Sequence, residues 1–136
     1  MKYEGNFMKR YQKEIPFPFI LHNCGMKPYW NVVDDIKVVA VNGSHPLDLD
    51  FWVDFKKKYR SISILGATID VSREMLTGTP SDVEELVKEN IFKLAPGGRY
   101  AVSPICELPS NVPLPNIMAV SNAIEKYGHY PIPIDH

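Results

Sequence analysis

The segment "FPFILHNCG", Phe17 to Gly25, ends a strongly apolar run on His22 and Cys24, two positions apart. The chain has 2 cysteines, and the other, Cys106, lies in a similar setting in "RYAVSPICELP". Side chains two apart on a strand share a face, so His22 and Cys24 stand side by side with Pro18 and Ile20 beneath them. Phe19 and Leu21 point the other way, toward helices. Two thiolates and an imidazole converging from two strand ends suit zinc, because three protein ligands leave a fourth position for water or substrate. From pattern alone, inert core cysteines remain the simpler reading. Cysteine is often buried as a small hydrophobe, and the separation, 106 − 24 = 82 residues, is not a zinc-finger spacing.

The elements that would have to position these residues can be read from periodicity. Residues 3–14 carry Phe7, Met8 and Tyr11 at helical spacing, and Pro16 ends that helix. Residues 17–23 form a continuous apolar run, as expected of a strand buried on both faces. A short helix follows Pro28, with Trp30 and Val33 on one face. "IKVVAVNGS" is a β-branched strand closed by Asn42-Gly43. Leu49, Trp52 and Val53 then mark a helix ending in Lys56, Lys57 and Lys58, which read as its solvated end. "SISILGATI" is a third strand.

"TGTPSDVEELVKENIFKLAPGG" is the clearest helix. Thr79 caps it, Pro80 suits its first turn and Asp82 completes a capping box. Val83, Leu86, Val87, Ile91 and Leu94 form its apolar stripe, and Pro96-Gly97-Gly98 stops it. "RYAVSPI" is the fourth strand. A last helix follows Pro115, with Ile117, Val120, Ile124 and Tyr127 on one side, and residues 129–136 form an extended tail. Strands alternating with helices call for a parallel sheet with right-handed crossovers. Four such units do not close a barrel, which needs about eight strands. They would leave two open edges and a bare inner face, to be covered by helices or by another chain.

The bulk numbers narrow the function classes. A chain of 136 residues, 45% hydrophobic and 23% charged, is one ordinary globular domain. A net charge of −1 provides no basic field for nucleic acid or anionic lipid. No apolar run reaches the ~18 residues a membrane span needs. The charged start "MKYEGNFMKRYQKEI" is not a secretory signal. Reduced thiols and a cytoplasmic location are therefore expected.

The blocks "FILHNCG", "GATID", "TGTPSDVEELV", "LAPGGRYAVSPICELPSNVPLPNIMAV" and "AIEKYG" follow one another as in the C-terminal half of the uroporphyrinogen decarboxylase-like superfamily. The chain most resembles the methylcobamide:coenzyme M methyltransferases and related corrinoid-protein methyltransferases within it, over roughly residues 5–128. The resemblance implies the C-terminal half of a TIM-type (β/α)8 barrel, with four parallel β/α units behind an N-terminal helix (1–15). Residues 1–136 would form a single half-barrel domain. It also implies zinc held by His22, Cys24 and Cys106, and a methylcorrinoid carried by a partner protein. The methyl group would pass to a small thiol. Full members are more than twice as long, so the missing half would come from a complementary N-terminal half-barrel chain or from a second copy in a homodimer. The alternatives are a catalytically silent truncated or interaction subunit, and a decarboxylase acting on uroporphyrinogen.

Three further residues are candidates for the substrate side or for support of the ligands. Asp70 would line the cavity or hydrogen-bond the ligand histidine, or equally cap the segment from Val71. Glu107, beside Cys106, would fill the open coordination position or face solvent. His45, in "NGSHPLD", would touch corrinoid or substrate, or cap the next helix. Trp30 and Trp52 read as packing residues, Arg99 reads as structural, and His129 and His136 carry no assignment.

Overall fold

The computed structural model describes residues 2–43 and 45–132. Helix α1 (Lys2–Glu14) leads into strand β1 (Ile20–Asn23), a single 3-10 turn (Trp30–Asp34) and strand β2 (Ala40–Gly43). Helix α2 (Leu49–Lys58), strand β3 (Ser63–Leu65), the short helix α3 (Glu74–Thr77) and helix α4 (Pro80–Leu94) follow. Strand β4 (Tyr100–Ala101) and helix α5 (Leu114–Tyr127) complete the order. The C-terminal part of the expected tail, from residue 133, and Ser44 of the second expected strand lie outside the described residues.

The 4 strands form one sheet in the order β1-β2-β3-β4, with every pair parallel. A sequential order wound always in the same sense stacks the helices on one side of the sheet. A doubly wound sheet instead reverses direction and is covered on both. This chain is therefore a segment of barrel wall. The row Leu21–Val41–Ile64–Tyr100 runs across all 4 strands in register, and Val41 and Ile64 in its centre are fully buried. The next row, His22–Asn42–Leu65–Ala101, points to the opposite, concave side, where Ala101 and His22 are exposed.

Two apolar cores fill the helix side. Trp30 and Trp52 meet edge to face with ring centroids 5.0 Å apart, among Val33, Phe55 and Ile62. Gly43 is what lets Trp30 in, because a β-carbon there would lie 2.1 Å from the indole Cζ2. The second core joins α4 to α5 through Val83, Val87 and Ile91 against Ala119 and Ala123. The capping box of α4 forms as the sequence predicts. Thr79 N donates to Asp82 Oδ2 at 2.8 Å, and Asp82 N donates to Thr79 Oγ1 at 3.2 Å.

Several expectations are corrected. β1 is not buried on both faces: it is an edge strand, and Ile20 on its concave side is 62% exposed because no described residue covers it there. The third strand stops at Leu65 because Gly66 and Ala67 adopt positive φ (97° and 78°). The fourth is paired only at Tyr100–Ala101. The chain then bends, so that Ile105 N donates to Ile69 O at 3.1 Å. On α5, Asn116, Ala119 and Ala123 face inward, whereas Ile117 and Ile124 are exposed. Small alanines let α5 approach α4 more closely than isoleucines would.

Lys56 is buried rather than solvated. Its ammonium donates to the carbonyl of Leu94 and to that of Pro96 at 2.7 Å, closing the C-terminal end of α4. Burial, then the neighbouring Arg99 guanidinium, lower its pKa. Arg99 is structural, donating to the carbonyl of Tyr59 at 3.1 Å.

Candidate metal centre

All parallel strands of the sheet end at the same edge, and in barrels the carboxyl edge gathers the chemistry. His22 is the third residue of β1, and Cys24 follows the strand directly. Cys106 comes from the loop after β4, at the far side of the sheet. The curl of the four-stranded wall brings these distant points together. Cys24 Sγ and Cys106 Sγ are 3.8 Å apart, and the ligand atoms of His22, Cys24 and Cys106 all lie within 4.8 Å of one another. Neither cysteine forms a disulfide; Cys24 is exposed and Cys106 half-buried. Sulfur and imidazole nitrogen are a zinc-type donor set, and a tetrahedral site with Zn–S of ~2.3 Å has an S···S edge of about 3.8 Å. The residues present fit such an ion.

The imidazole is held from behind. His22 Nδ1 is 2.6 Å from Asn42 Oδ1, its cross-strand neighbour in register. A hydrogen bond with Cys24, then the one with Asn42, raises the His22 pKa, and the charges of Cys24 and Glu107 act the same way. Burial opposes them. A cleft of about 660 Å³ opens beside the site, walled by Phe7, Met8, Leu21, Cys24 and Tyr29. Its lining is mainly apolar, with Lys27 contributing a cation.

The sequence candidates divide. His22, Cys24 and Cys106 converge. Glu107 is exposed, and its charge reaches His22. Asp70 is buried and accepts from Ser72 N and Ser72 Oγ, each at 2.8 Å, which is the geometry of a turn cap. His45 does not cap α2. That role belongs to Asp48, which accepts from Asp50 N at 3.0 Å and Phe51 N at 3.3 Å. The shorter carboxylate, one residue before the helix, reaches its free N–H groups directly. The His45 carbonyl instead accepts from Trp30 Nε1 at 2.8 Å, and its Nδ1 is buried without a hydrogen-bond partner among the described residues.

Asn42 was missed. Next to Gly43 it reads as a turn residue, and only its register opposite His22 reveals it. A histidine and an asparagine at matching depths on adjacent strands were the available signal.

A family model described as Uroporphyrinogen decarboxylase (URO-D) matches residues 1–127. The chain belongs to the uroporphyrinogen decarboxylase family. The wall of parallel strands with its helices on one side is the corresponding part of that family's α/β barrel. Searches of curated proteins and of solved structures give no significant match. Among the described residues, no helix is long and apolar enough to cross a membrane.

Proposed function

We propose that this member of the family supports zinc-dependent methyl transfer, in the cytoplasm, from a methylated corrinoid protein to a small thiol of the coenzyme M type. One observation carries the reading: an imidazole and two sulfurs from opposite ends of the sheet meet with an S···S separation of 3.8 Å. Zinc bound there would lower the pKa of an incoming thiol and present it as a thiolate nucleophile. His22, Cys24 and Cys106 would hold the ion with three donors and leave one position for that thiol. The corrinoid would supply the methyl group: the acceptor would gain a carbon–sulfur bond as the donor's carbon–cobalt bond breaks, and the thiol proton would go to solvent. No side chain of this chain need act as a general base. Glu107, whose charge reaches His22, would border the substrate side.

The bare concave row and the two open edges support a barrel completed by a second chain, either a complementary N-terminal half-barrel or another copy of this one. The same bare face also supports a second reading, a catalytically silent subunit whose role is to complete a partner.

X-ray absorption on the zinc-loaded, reduced chain separates these readings. Two sulfurs and one nitrogen are expected around zinc, rising to three sulfurs when a small thiol is added. A chain that takes up no zinc, or whose zinc ignores the thiol, removes the methyl-transfer reading.

A further inference from the structure

We infer that Asn42 is a positioning residue that sets the tautomer of His22 and ties the imidazole to the loop bearing Cys106. The amide has only one orientation that satisfies its surroundings. Asn42 Nδ2 lies 2.8 Å from the Leu65 carbonyl oxygen and 3.3 Å from that of Pro104. Carbonyl oxygens only accept, so the donor end of the amide must face them. The acceptor end, Oδ1, is thereby left 2.6 Å from His22 Nδ1.

An amide oxygen cannot donate, so the hydrogen of this bond sits on Nδ1. In the neutral ring, Nε2 then carries the lone pair. A histidine that ligates through one nitrogen characteristically donates from the other to a fixed acceptor, and here the acceptor is an amide.

The same side chain reaches the loop of the second sulfur, because Pro104 is two residues before Cys106. Gly66 leaves room for this. A β-carbon on Gly66 would lie 3.3 Å from Asn42 Nδ2, 3.3 Å from Pro104 O and 2.9 Å from Ser103 O. One half-buried amide thus links the end of β1, the end of β3 and the loop after β4. The tautomer assignment stands on hydrogen-bond geometry alone, whereas its effect on metal affinity rests on the zinc reading above.

Long-range ¹H–¹⁵N NMR of the reduced, metal-free chain, at a pH where His22 is neutral, reads the tautomer directly. His22 Nδ1 should carry the proton in the native chain. In Asn42→Leu the ring should revert to the Nε2–H form that free histidine prefers, and Co²⁺ affinity should fall about 10–100-fold. Asn42→Asp keeps an acceptor but loses the donor. It should preserve the Nδ1–H form while recovering affinity only in part.

An Nε2–H tautomer in the native chain overturns the inference, whatever the variants do. So does an Asn42→Leu chain that keeps both tautomer and affinity. If the native chain shows Nδ1–H yet binds no Co²⁺, the zinc reading falls and the assignment of Asn42 to the imidazole holds.

Discussion

Gly66→Ala adds one methyl group, touches none of the three ligands, and should nevertheless loosen the site. Gly66 has a φ of +97°, and a β-carbon would meet Ser103 O at 2.9 Å. Ordinary contact begins at 3.4 Å, so that carbonyl must retreat by 3.4 − 2.9 = 0.5 Å. The left-handed backbone costs an alanine about 1–2 kcal/mol, and overpacking of this kind adds about 1–3 kcal/mol. A total loss of about 2–5 kcal/mol is expected in the metal-free protein. Urea unfolding followed by tryptophan fluorescence measures it, since Trp30 and Trp52 lie in the core that β3 covers.

The displacement also matters for affinity. Ser103 precedes Cys106 by three residues, and metal sites tolerate ligand errors of only about 0.2 Å. Zinc affinity measured against a competing chelator should therefore fall about tenfold or more. A variant within about 0.5 kcal/mol of the native chain, the usual range for surface changes, and with native affinity, would mean that the loop does not pack on Gly66 as described.

Other perturbations probe separate parts of the molecule. Cys24→Ser and Cys106→Ser should each cut zinc affinity by about 3 kcal/mol, roughly a hundredfold, if a total of about 10–16 kcal/mol is shared among four ligands. Equal zinc content in both variants and the native chain would remove the shared site. Thr79→Ala should cost about 1 kcal/mol through loss of the α4 cap, and an unchanged urea midpoint would contradict that. The Asp82 carboxyl is held below its ordinary 3.8 by the Thr79 backbone N–H and then its hydroxyl. Its stabilisation should thus be complete above about pH 4, near the unfolded value, and disappear as pH falls through the lower folded value. A carboxyl ¹³C titration with a midpoint at or above 3.8 would refute it.

The order of elements was legible because each has its own period and punctuation, and the α4 capping box was readable down to both partners. Its donors and acceptors are three residues apart, so local sequence contains the whole motif. What could not be read depends on partners far along the chain. Lys56 is buried by carbonyls 38 and 40 residues away. Asn42 gains its role from Leu65 and Pro104, 23 and 62 residues distant. The inward face of α5 was misjudged because isoleucines are the more hydrophobic choice, whereas the close helix pair selects alanines. The convergence of the two cysteines belongs to neither class: pattern left it open, and only the family resemblance pointed to it.

The ligands come from the first strand and from beyond the last one. A metal ion would thus act as a girdle around the open wall, shutting an 82-residue stretch of polypeptide into a ring. By the chain-entropy relation for cross-links, a ring of that size restrains the unfolded ensemble by about 4–5 kcal/mol. Chelation would then unfasten the outermost strand as well as remove the chemistry, so that holding the ion and holding the curvature become one property of the chain.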